Sequence, residues 1–183
     1  SMKVGDKMDI MMQKFISEVN LKFAFLEEYG YKKIEGNIEN EDYYPDSEVV
    51  VKYIGNSVGV EIYWYFAGAN IGVVFFELQN GEIPAKKIFI GESKDASRVI
   101  NLYTLAKYLD KWDNKLFLLD EVDDVTIPKI KKREEEIKEN MSGILDGLST
   151  AVIKLAANII SGDTSIFKDV MHYQRELIKK QFP

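Results

Sequence analysis

Apolar residues near the N-terminus recur every three or four positions. Met8, Met12, Phe15, Val19, Phe23 and Leu26 fall on one stripe of a helix expected from Lys7 to Tyr29. Asp6 is placed to cap its start, Gly30 to supply a left-handed stop, and Tyr31 to pack back on the last turn. The period then shortens. Val49 to Ile54, Val58 to Phe66 and Ile71 to Leu78 are rich in β-branched and aromatic residues and read as three strands. The breaks between them, Gly55-Asn56-Ser57 and Ala67-Gly68-Ala69-Asn70, are too short for a crossover, so the strands pair as antiparallel hairpins. In the middle strand Val58, Val60, Ile62, Trp64 and Phe66 point one way, while Gly59, Glu61, Tyr63 and Tyr65 point the other. That alternation predicts one core face and one partly wet face. Asn80-Gly81 signals a further hairpin, with Lys86 to Ile90 returning as an edge strand after Pro84, and Tyr31 to Ile34 adds another edge.

Helical spacing resumes after Asp95, where Val99, Leu102, Leu105, Ala106 and Leu109 form a stripe. Pro128 suits a first helical turn, and Lys131/Glu135, Lys132/Glu136 and Glu134/Lys138 are opposite charges four apart on a solvated face. Ile137, Met141, Ile144, Leu148, Ala151, Leu155 and Ile159 then run as a seam, with Gly143 and Gly147 predicting a kink between Asn140 and Gly147. Ser161-Gly162-Asp163 closes that helix, and a last one runs from Thr164 towards Lys180. The expected architecture is one α+β domain over residues 1–183. It has an N-terminal helix, an antiparallel β-meander of three to five strands, and a largely helical C-terminal half on one face of the sheet.

Composition narrows the chemistry. With 183 residues, 46% hydrophobic and 30% charged, the chain can build its own core. It has no cysteine, which removes disulfides, thiolate metal sites and thiol nucleophiles, and a reducing cytoplasm fits best. No run reaches the roughly 18 apolar residues a membrane span needs, and the opening residues carry no leader pattern. A net charge of −6 argues against nucleic acid and anionic membranes, both of which require a basic footprint.

Catalytic motifs are missing. His172 is the only histidine and flanks the stripe of the last helix; Ser165 and Lys168 share the S-x-x-K spacing without its companion motifs. Neither phosphate-cradling glycine loop occurs, so no cofactor is expected. Asp110, Asp113, Asp120, Glu121, Asp123 and Asp124 lack the spacing of a calcium loop and read as solvated acids, so no metal is expected either. Glu61 and Glu77 read as solvent-face strand residues. The chain is therefore not expected to be an enzyme.

The most unusual stretch is Glu35 to Glu48, which holds six acids, no base, and the run Tyr43-Tyr44-Pro45. Tyrosines give contact area at low entropic cost, and carboxylates around them speed encounter with a basic partner. Glu39, Glu41, Asp42, Tyr43, Tyr44 and Asp46 are the candidate partner-binding residues.

A likeness bears on this reading. Through Phe23 to Tyr31, Val49 to Tyr53 and Ile159 to Phe167, the chain resembles small α+β proteins of Firmicutes-type bacteria, of the kind that act as immunity proteins beside polymorphic toxins. Locally, Tyr43-Tyr44-Pro45 among acids looks like the toxin-docking segment of nuclease-colicin immunity proteins, whose helical-bundle fold this chain does not share. The resemblance implies a cytoplasmic inhibitor that sequesters a basic toxin or effector. The second reading, from another class, is a homo-oligomeric scaffold whose C-terminal helices form a dimer seam through Met141, Leu148 and Leu155.

Overall fold

The computed structural model describes residues 4–39, 48–66, 69–83, 98–119 and 126–183, with residues 4–9, 35 and 37–39 as backbone alone. Helix α1 (Val4–Lys22) lays Phe15 and Val19 onto the sheet, both fully buried. The expected helix does not run through to Tyr29. A tight turn, with the Leu26 amide donating to the Phe23 carbonyl at 3.0 Å, separates α1 from the short α2 (Phe25–Glu28). Gly30 then stops the chain at φ +89, and the Tyr31 amide reaches back to the Leu26 carbonyl at 3.0 Å.

Five strands follow in sequence order, each antiparallel to the next: β1 (Lys32–Glu39), β2 (Glu48–Ile54), β3 (Val58–Tyr65), β4 (Asn70–Glu77) and β5 (Val99–Asn101). The meander is therefore as the alternation predicts. β1 is longer than the edge expected over Tyr31 to Ile34, so the first part of the acidic stretch is strand. Its register slips between Ile34, opposite Lys52, and Asn37, opposite Val50, which is a bulge of two residues facing one.

Residues 84–97, including the return strand expected over Lys86 to Ile90, lie outside the described residues. The turn at Asn80 and Gly81 is present, both at positive φ (53 and 77), closing a bridge between Gln79 and Glu82. The described strand beside β4 on its outer side is Val99–Asn101, which sequence periodicity assigns to a helix. Two adjacent β-branched residues favour the extended form there. Asn101 then caps α3 (Leu102–Tyr108), its side-chain oxygen accepting from the Tyr103 amide at 2.9 Å.

The helices share one face of the sheet. Helix α4 (Ile127–Leu155) carries its buried stripe Ile137, Met141, Ile144, Leu148 and Val152 into the same core as Val51, Ile62 and Phe75. It breaks at Asn140 (φ −134, ψ 37), where the kink is expected. At Gly147 a Cβ would collide with the Leu116 carbonyl, so the glycine admits the Leu116 backbone against the helix. Gly147→Ala should accordingly lose about 1–3 kcal/mol, although alanine is the better helix former. Urea unfolding measures this directly, and a neutral or stabilising effect would contradict the packing.

Ala156 interrupts the helix, and α5 (Ala157–Ile160) ends at Gly162 (φ +102) before α6 (Phe167–Gln181). The Tyr31 hydroxyl donates to the Ile160 carbonyl at 2.9 Å, and the Ser57 hydroxyl to the Gly162 carbonyl at 3.2 Å, tying the sheet to this junction. The Tyr53 hydroxyl, equally buried, has no hydrogen-bond partner among the described residues. The two tyrosines should behave oppositely. Tyr31→Phe strands a buried carbonyl and should cost about 1–3 kcal/mol, whereas Tyr53→Phe removes an unsatisfied hydroxyl and should be neutral or stabilising. Thermal melts of both variants check the contrast.

The second face of the sheet is drier than the partly wet face that the alternation in β3 predicts, although Lys52, Tyr63 and Tyr65 remain half-buried there. Val50, Glu61, Val74, Phe76 and Val99 are all buried there. Ile83 packs on the Val74, Phe76 and Val99 cluster and against Gly59, and Tyr63 lies over Gly72, where a Cβ would strike its ring. The Tyr63 hydroxyl accepts from the Asn101 amide at 3.1 Å.

Candidate partner-binding site

Two strand ends bracket the acidic, tyrosine-bearing segment. Glu39, the last residue of β1, is the register partner of Glu48, the first residue of β2. Across the sheet the same row continues through Tyr65 to Asn70. Glu41, Asp42, Tyr43, Tyr44 and Asp46 lie between these ends in the chain and outside the described residues, and Glu39 is described by its backbone alone. The structure thus fixes where the segment is anchored: at one end of the sheet, beside its edge strand.

The field of Glu48 is felt two rows inward, on the same face of the sheet. Burial pushes the Tyr63 hydroxyl above its ordinary range, the hydrogen bond from Asn101 pulls it down, and the Glu48 carboxylate pushes it up again. A like-charged register pair in an antiparallel ladder is destabilising by up to about 1 kcal/mol. Glu39 and Glu48 share a register position at the ends of their strands.

The other sequence candidates are dispersed. Glu61 is opposite Val74 and Glu77 opposite Val58, which puts the two carboxylates on opposite faces of the sheet. They cannot act as an acid–base pair. Glu61 is 2% exposed, not solvent-facing, with Lys52 Nζ 3.7 Å from its Oε1. Glu77 pairs with Arg98 at 3.1 Å.

His172 is exposed on α6, and Ser165 is absorbed in the turn before that helix. The Ser165 hydroxyl and amide both hydrogen-bond to Asp163, holding its carboxyl below the usual range. Asp113 likewise accepts from the Lys115 amide at 2.8 Å, and Asp110 sits at φ 53, so both serve turns. Asp120, Glu121, Asp123 and Asp124 fall outside the described residues. Among the described residues no group of three or more histidines or carboxylates gathers to hold a metal ion, and no helix is long and apolar enough to cross a membrane.

The dimer seam proposed from sequence is consumed within the chain. Met141 and Leu148 are buried in its own core, and Leu155 packs against that core. The segments Phe23 to Tyr31, Val49 to Tyr53 and Ile159 to Phe167 are mixed in burial: the Tyr31 hydroxyl meets the Ile160 carbonyl and Tyr53 is fully buried, whereas Tyr29, Ser161, Asp163 and Ser165 are exposed.

Sequence reasoning missed the buried Arg133, 8% exposed, whose Nε lies 3.7 Å from Glu136 Oε2. Its signal was available, because Arg133 stands one four-residue step before Ile137 on the buried seam. Arg133 also pulls down the pKa of Tyr103, which burial raises more strongly. Tyr103 packs on Trp112 and Phe117 and donates to the Ile71 carbonyl, so this cluster secures α3 to β4. No protein-family model, no curated protein and no solved structure matches the chain.

Proposed function

We propose that this chain is a cytoplasmic, immunity-like inhibitor that sequesters a basic protein partner, a toxin or effector, through the acidic segment between β1 and β2. The observation that supports the reading most is the Glu39/Glu48 register pair, which opposes like charges at the root of a segment containing Glu41, Asp42 and Asp46 but no base. Tyr43 and Tyr44 supply the apolar contact, and the carboxylates supply long-range attraction. The five-stranded sheet and its helices act as a rigid mount for the segment.

The test is capture from a lysate of the native host, with the wild-type chain and the Glu41→Lys/Asp42→Lys/Asp46→Lys variant as parallel baits. The wild type should retain a basic protein that the variant loses and that high salt releases. The same proteins on both baits, or none on either, would remove the basis of the proposal.

A further inference from the structure

The edge strand β1 carries a charge pattern that is complementary to itself. Read from Lys32 to Glu39 it is Lys-Lys-Ile-Glu-Gly-Asn-Ile-Glu, basic at one end and acidic at the other. It has β2 as its sole neighbour in the sheet, and no backbone hydrogen bond among the described residues reaches its outer side. The opposite edge differs. β5 is only three residues long, runs straight into α3, and is packed by α6.

We infer that β1 pairs antiparallel with β1 of a second copy of this chain, about a two-fold axis between Glu35 and Gly36, extending the sheet across both copies. Three observations carry this. First, the axis sets Lys32 opposite Glu39 of the partner subunit, Lys33 opposite Ile38 of the partner subunit, and Ile34 opposite Asn37 of the partner subunit. Opposite charges meet at both ends of the pairing.

Second, the faces agree. Lys32, Ile34, Asn37 and Glu39 pair in β2 with Ile54, Lys52, Val50 and Glu48, which lie on the second face; Lys33 and Ile38 pair with Tyr53 and Val49, on the core face. The bulge between Ile34 and Asn37 shifts the alternation so that every partner across the axis shares its face. A regular strand of eight residues would set opposite faces against each other under this axis, because partners would then be an odd number of positions apart. Third, the pairing adds the positive charge of Lys32 to the Glu39/Glu48 row, where each chain opposes two carboxylates. Ile34, 46% exposed in the single chain, also gains cover.

The bulge and the two lysines are features that discourage indiscriminate edge pairing. Here they select one register, since any slip breaks the match of charges and faces. The ends of β1 that lead into the acidic segments fall at opposite ends of the joint sheet, so this pairing does not depend on the partner reading. A monomer that still captures a basic protein would sink only the pairing.

Sedimentation equilibrium across the micromolar range tests it, with the chain alone and three variants. The wild type should dimerise. Lys32→Glu and Glu39→Lys should each weaken the dimer by roughly tenfold or more, and the double variant carrying both should restore it. Each variant should keep the far-ultraviolet dichroism of the wild type. Hydrogen exchange at β1 amides should slow as concentration rises while β5 amides do not respond. A wild type that stays monomeric at the highest micromolar loading overturns the inference. So does a dimer equally strong in both single variants.

Discussion

Leu148→Glu is expected to abolish the fold rather than to separate two folded copies. Leu148 is 1% exposed, on the stripe of α4 that faces the sheet. Removing a buried leucine costs about 2–5 kcal/mol by itself. A carboxylate left in its place must either stay charged without a partner or take up a proton, and adds several kcal/mol more. The sum is comparable to the whole stability of a domain, about 5–15 kcal/mol. Leu148→Met, which keeps the volume, should cost less than about 1.5 kcal/mol. Dichroism and sedimentation together check the claim: the glutamate variant should be unfolded or aggregated, and a folded monomer would show that the side chain is not core.

The second large effect is alkaline unfolding. Burial pushes the Tyr31 and Tyr53 hydroxyls up to about 12, with the Glu27 carboxylate adding to the rise at Tyr53, and raises Tyr63 and Tyr103 as well. Tyrosine is neutral when protonated, so a raised pKa means that the folded state holds its proton more tightly than the unfolded one. The associated stability is complete below the unfolded value near 10 and is lost as pH rises through the folded values near 12. Each rise from 10.0 to about 12 corresponds to roughly 3 kcal/mol lost once the ring ionises, so ionising Tyr31 and Tyr53 removes a large part of the stability. A titration followed by tyrosinate absorbance should show these rings ionising together with a cooperative loss of dichroism between pH 10 and 12. Independent titration of all tyrosines near the ordinary value, with the fold intact, would contradict the burial.

Much of the sheet was legible because its three central strands are rich in β-branched and aromatic residues and are joined by breaks too short for anything but hairpins. Gly30, Asn80-Gly81 and the Asn140 kink were legible for a related reason: each is a local backbone requirement that a residue type meets. Val99 to Asn101 was not, since three residues that also fit a helical stripe become a strand only when β4 offers hydrogen bonds.

The burial of the second face escaped the reading of β3, whose residues there are Gly59, Glu61, Tyr63 and Tyr65. The run Ile71 to Phe76 in β4 carried the clue, because it is nearly all apolar on both faces, as strands covered on both sides are. The candidate site was legible as composition only. Charge density and paired tyrosines can be read from residues 35–48, whereas the opposition of Glu39 to Glu48 depends on a register that the bulge in β1 sets.

Association kinetics of the captured basic protein with this chain, followed as ionic strength rises, test the partner-binding account most directly. The account predicts fast association that slows steeply with salt for the wild type. For Glu41→Lys/Asp42→Lys/Asp46→Lys it predicts a rate at least roughly tenfold lower and nearly flat in salt. Equal rates with equal salt dependence in the two proteins would contradict it.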